Sequence, residues 1–246
     1  MITRRTFLKF SSAGALTLYT LNEFGVEEAI AAIPGGTLSP RAIPKFVTPL
    51  VKPPAMPTSG LNAYSIAVRQ FTQQILPPPL PATTVWSYGS PTEPATFNYP
   101  AFTIEATRGT PITVTWVNDL KDGGGNFLPH LLPVDPTLHW ANPPNGTNPP
   151  VNGVGTRDSR PKFATTPGRS TGRVPIVTHV HGMEGLEDWS DGYAEAWYLP
   201  AASNIPAGFA TAGTWYNFFK GKAASAGVPA WSAGQAIFRY PNTQRP

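Results

Sequence analysis

Proline occupies 30 of the 246 positions, against a usual share of about 5%. Each proline fixes its own φ and removes a backbone donor, so long helices cannot run through this chain. The pattern predicts ordered loops around short strands. The richest stretch, residues 32–60, contains Pro34, Pro40, Pro44, Pro49, Pro53, Pro54 and Pro57 without apolar periodicity. It reads as an extended arm. Residues 61–246 carry the strand signals and form the expected domain.

Those signals have period two. Tyr64, Ile66 and Val68 alternate with Ser65, Ala67 and Arg69, and Leu76-Pro77-Pro78-Pro79 ends the run. Thr83 to Tyr88 forms a second β-like run. Phe102, Ile104 and Ala106, then Ile112, Val114 and Trp116, alternate on either side of Arg108-Gly109-Thr110-Pro111. This predicts a hairpin with one buried and one polar face. Residues 119–172 read as a long loop. Arg173 to His181 reads as a last strand, and Ala201 to Ala236 admits a short helix. The sum is an all-β sandwich or barrel.

With 13% charged and 41% apolar residues the chain can bury a core. Its net charge of +4 is not gathered into a basic cluster beyond the first ten residues, so it gives no support for nucleic-acid binding. The sequence contains no cysteine, so disulfides and thiolate metal ligands are excluded. The N-terminus reads as an address. Thr3-Arg4-Arg5-Thr6-Phe7-Leu8-Lys9 has the twin-arginine pattern, an apolar stretch runs from Phe10 to about Leu21, and Ala29-Ile30-Ala31 offers a cleavage site. The apolar stretch falls short of the roughly 20 residues that span a bilayer. The plainer reading is a soluble N-terminal helix. The export reading makes residues 1–31 a signal peptide, places the mature protein in the periplasm or outside the cell, and leaves no stable membrane insertion after cleavage.

The segment Val174-Pro175-Ile176-Val177-Thr178-His179-Val180-His181-Gly182 carries the chemistry. Histidines at i and i+2 on a strand project from one face, with Cα atoms roughly 6.6 Å apart. Neutral imidazoles are good ligands for copper and zinc, so one strand can offer two ligands to one metal or to two adjacent metals. The plainer reading is two polar residues on a wet face. A strong site needs three or four ligands. His130 and His139, the other two histidines, make a local four-ligand site arithmetically possible.

His179-Val180-His181-Gly182 is followed by Trp189-Ser190-Asp191-Gly192-Tyr193-Ala194-Glu195-Ala196-Trp197 and, near the end, Phe238-Arg239-Tyr240-Pro241-Asn242. Upstream stand Phe102-Thr103-Ile104-Glu105-Ala106-Thr107-Arg108-Gly109 and Leu131 to Trp140. These blocks, in this order, resemble the first cupredoxin domain of multicopper oxidases, most closely the bacterial spore-coat laccase and bilirubin oxidase branch. The resemblance runs from roughly Asn62 to the C-terminus. It implies a cupredoxin-like Greek-key sandwich or barrel with long loops, incomplete at its C-terminus. It also implies copper. His179 matches the type 2 copper ligand and His181 a type 3 ligand. Asp191 matches the acidic residue that helps supply protons for oxygen reduction; the plainer reading is an aspartate capping the turn before Gly192. His130 and His139 match no ligand, and Tyr240-Pro241-Asn242 reads as a strand end before a turn.

The family's Trp-Tyr-His-Asp-His motif and its remaining cluster histidines do not occur in the sequence, and its type 1 copper requires a cysteine thiolate. The chain thus holds two trinuclear-cluster ligands and is expected to be inactive alone, with further cupredoxin domains in cis. The parent would couple one-electron oxidation of phenolic, tetrapyrrole or metal substrates to reduction of dioxygen to water. Two other readings compete. One is an exported, non-catalytic copper-binding cupredoxin-like module. The other is a structural or carbohydrate-binding β-sandwich using Trp215, Tyr216 and Trp231 as a platform, against which stands core packing of the same rings.

Overall fold

The computed structural model describes residues 38–134, 172–187 and 192–244. The chain divides into two compact units. The smaller is Met1–Pro49 with Leu76–Leu80. Its described part contains a 3-10 turn at Pro40–Ala42, capped by Ser39, whose Oγ accepts from the Arg41 N–H at 3.4 Å.

The larger unit, Leu50–Ile75 with Pro81–Pro246, holds the regular strands found among the described residues. These are β1 (Ala63–Gln73), β2 (Thr83–Gly89), β3 (Ile112–Asn118) and β4 (Gln235–Tyr240), and the described residues of this unit add an α-helix, α1 (Tyr216–Ser225). They form one open mixed sheet in the order β2-β1-β3-β4. β1 pairs antiparallel with β2 and parallel with β3, and β3 pairs antiparallel with β4. The protein is thus an all-β fold with little helix, as a cupredoxin-like architecture requires.

Register explains the core. In β3, Ile112, Val114 and Trp116 are buried and the residues between them are partly exposed. Across the ladders Tyr64 meets Val114 and Val114 meets Phe238; Ile66 meets Trp116 and Trp116 meets Ala236. One face of three adjacent strands is therefore a continuous apolar surface. Within it, the Trp116 indole N–H donates to the Tyr240 hydroxyl at 2.9 Å, so two large polar-tipped rings are buried as a satisfied pair. On α1, Tyr216, Phe219 and Ala223 are buried and join this core. Their spacing of three and four places them on one helix face. Full burial of a ring such as Phe219 contributes about 1.5–3 kcal/mol. The helix ends in a Schellman motif. Gly227 adopts φ +76°, its N–H bonds Ala224 O at 3.0 Å, and the Val228 N–H bonds Ala223 O at 3.0 Å.

Two expected elements differ. The hairpin across residues 101–118 does not form. β3 is its second half, but both β3 edges are taken, by β1 and by β4. The first half has no edge left to join. Thr103 instead makes an isolated parallel bridge to Ala55, while Phe102 and Ile104 still pack on the core. The turn at Arg108-Gly109 meets the end of β4, the Gly109 N–H donating to Asn242 O at 2.9 Å. The strand expected over Arg173–His181 is also replaced. Arg173 bridges Pro129 and Ile176 bridges Tyr198, with no ladder beyond them. The short helix within 201–236 is present as α1, and the strand ending at Tyr240 is β4. Of the long loop, residues 135–171 lie outside the described residues. Among the described residues, no helix is long and apolar enough to cross a membrane.

Candidate metal centre

The histidine segment hangs from the end of β3. Val174 is buried with Val68 and Leu120. Two residues on, Ile176 and Tyr198 exchange backbone hydrogen bonds of 3.0 and 3.1 Å, a single antiparallel pair. From there the chain alternates although no ladder supports it. Thr178 is buried and Val180 packs against the main core, while His179 and His181 are exposed. The inward anchors hold both imidazoles on the outer side, as period two requires. Their ring centroids lie 6.4 Å apart at an interplanar angle of 83°. Gly182, at φ +78°, then turns the chain away.

Gly192 returns to this place from the Ser-Asp-Gly block. A Cβ built on it would lie 2.5 Å from His179 Cβ and 3.1 Å from its Cγ. Its φ of +83° is one that glycine adopts without strain. The structure thus brings two sequence blocks together at His179. Asp191 itself, and His139, lie outside the described residues.

The donor set suits a metal in chemistry and is partial in number. A ring nitrogen binds copper or zinc at about 2 Å, which puts the ion about 3 Å from the ring centre. Two rings sharing one ion therefore reach a separation of about 6 Å only when they face each other across it. The observed 6.4 Å sits at that limit. The pair is better placed to serve two neighbouring ions than to chelate one. Among the described residues, no group of three or more His, Cys, Asp or Glu side chains gathers to hold a metal. His130 does not complete such a group. Its ring packs against Trp86 with centroids 6.3 Å apart, and burial holds its pKa below the ordinary value.

The aromatic platform is not formed, and the competing core-packing reading holds for two of its three rings. Tyr216 and Trp231 are core residues, 7% and 3% exposed. The Tyr216 hydroxyl donates to Gln235 O, and burial pushes its pKa up to about 12. Trp215 is exposed beside Tyr193 and Phe218, but these rings meet edge to face, at 64° and 83°, and offer no flat stacking surface. Sequence reasoning passed over Asn118, a buried side chain whose Nδ2 donates to Val174 O and Tyr198 O at 2.9 and 3.0 Å. The available signal was an amide at an inward position of an otherwise apolar strand face.

No protein-family model matches the chain. Curated relatives do. The chain is 36% identical over 169 residues to a laccase of Haloferax volcanii, covering 66% of this chain and 23% of that protein. It is 33% identical over 169 residues to Multicopper oxidase LPR1 homolog 1 of Oryza sativa subsp. japonica, covering 68% and 19%. It is 28% identical over 158 residues to a laccase of Bacillus subtilis, covering 63% and 23%. The chain thus spans about a fifth of the length of the curated relatives it matches. A β-sheet fold presenting two outward imidazoles, together with these similarities, identifies the chain as a member of the multicopper oxidase family.

Proposed function

We propose that this chain is the N-terminal portion of a laccase-like copper oxidase and supplies two ligands to its oxygen-reducing centre. The observation that carries the reading is the outward His179–His181 pair, 6.4 Å apart, with Gly192 packed on His179. Each imidazole offers a neutral nitrogen, His179 to the type 2 copper and His181 to a type 3 copper. Copper, when bound, supplies the one-electron chemistry that links oxidation of a phenolic, tetrapyrrole or metal substrate to reduction of dioxygen to water. Asp191 delivers protons there; the packing of its chain neighbour Gly192 against His179 supports that role. Electron entry at a type 1 site needs a cysteine, which this sequence does not contain. It belongs to further cupredoxin domains of the parent. Residues 1–31 serve as a twin-arginine signal peptide, 32–60 as the arm and 61–246 as the first cupredoxin domain, acting in the periplasm or outside the cell.

A second reading, an exported non-catalytic copper-binding module, is favoured by the lack of a third gathered ligand among the described residues. One titration tests what both share. Calorimetry with aqueous Cu(II) on the full chain should give saturable binding that His179→Ala and His181→Ala each abolish or weaken at least tenfold. Absence of saturable binding would sink the ligand assignment. Reading the coding region past codon 246 separates the two. Continuation into further histidine motifs and a cysteine supports the oxidase, and a stop codon supports the module.

A further inference from the structure

We infer that Asn118 is the positioning residue for the histidine segment: its carboxamide ties the chain on both sides of the site to the end of β3. This rests on the reading of His179 and His181 as ligands. Asn118 closes β3, opposite Val68 of β1, and its own N–H donates to Gly234 O at 2.8 Å. It is 1% exposed. A carboxamide has two N–H donors and one carbonyl acceptor, and here each is used. Nδ2 donates to Val174 O at 2.9 Å and to Tyr198 O at 3.0 Å, and Oδ1 faces the Leu120 N–H at 3.4 Å.

The two carbonyls come from the two segments that build the site. Val174 lies five residues before His179, and Tyr198 lies six residues after Gly192. The same Tyr198 carbonyl also accepts from the Ile176 N–H at 3.0 Å, and the Tyr198 hydroxyl reaches back to Trp116 O at 3.3 Å. Two segments joined to each other by a single backbone pair are therefore both tied to β3 through one side chain. Fixing the register at Val174 and Tyr198 sets how closely His179 meets Gly192, because only four residues separate Val174 from His179 and only five, including the 3-10 turn Ala194–Ala196, separate Gly192 from Tyr198. Aspartate has the right size but lacks the donors, and would set carboxylate oxygens against two carbonyl oxygens. Serine keeps one donor on a shorter stem.

The test uses the full chain with Asn118→Asp, Asn118→Ser as a milder second variant, and Val85→Ala in edge strand β2 as a control for general destabilisation. Without metal, NMR follows the nuclear Overhauser contact between the His179 side chain and Gly192. It should be lost in both Asn118 variants and kept in Val85→Ala. With aqueous Cu(II), affinity should fall at least about tenfold in the Asn118 variants, the range seen when outer partners of metal ligands are removed, and stay near wild type in Val85→Ala. An intact His179–Gly192 contact with unchanged affinity in the Asn118 variants would overturn the inference. If wild type itself binds no copper, the ligand reading fails, and the metal-free contact still decides the role of Asn118.

Discussion

Gly192→Ala probes the closest approach at the site. Two penalties add. A left-handed backbone costs an L-residue about 1–2 kcal/mol, and Gly192 sits at φ +83°. The new Cβ would meet His179 Cβ at 2.5 Å, a distance that forces movement; overpacking of this kind costs about 1–3 kcal/mol. Gly208→Ala isolates the second term. Gly208 has φ +79° but nothing within 4 Å of a built Cβ, so it incurs the backbone cost alone. The unfolded-state gain of replacing glycine is common to both and cancels in the difference. Urea unfolding should therefore place Gly192→Ala about 1–3 kcal/mol below Gly208→Ala. Because His179 is exposed, the strain has a second outlet, displacement of the imidazole. A smaller stability gap should then come with a shifted His179 ring resonance and weaker Cu(II) binding. Equal stabilities for the two variants, together with an unmoved His179 resonance, would refute the reasoning.

Further outcomes follow from the core and from one half-buried imidazole. Ile66→Ala, at a position 1% exposed opposite Trp116, should cost about 2–5 kcal/mol in urea unfolding. Tyr240→Phe removes the acceptor of the buried Trp116 indole N–H and should cost about 1–3 kcal/mol; combined with Trp116→Phe it should cost less than the sum of the two single changes, and strict additivity would show that the bond contributes nothing. Burial holds His130 below its ordinary pKa of 6.5. The unfolded chain then takes up the proton first, so stability is full above pH 6.5 and falls as pH drops below it. His130→Gln should flatten that part of the urea-midpoint profile between pH 7.5 and 5, and an unchanged slope would remove His130 as its source.

Much of the scaffold was legible because burial on one sheet face imposes period two on the residues themselves. Tyr64, Ile66 and Val68 marked β1, Thr83 to Tyr88 marked β2, and Ile112, Val114 and Trp116 marked β3. The prolines kept regular helix to a single stretch of ten residues among those described. The same periodicity placed His179 and His181 on one side. Periodicity reports which face is buried and says nothing about which edge is paired. Phe102 and Ile104 alternate because they pack on the core, yet they form no hairpin, since β1 and β4 already hold both edges of β3. Rings look alike in sequence whether they line a platform or a core, and only packing put Tyr216 and Trp231 inside. The register of the histidine segment depends on Asn118 bonds that span 56 and 80 residues, and on Gly192 closing against His179. The two imidazoles were thus written locally in the chain, while the placement of their segment was decided by contacts between segments far apart in sequence, where no local periodicity carries information.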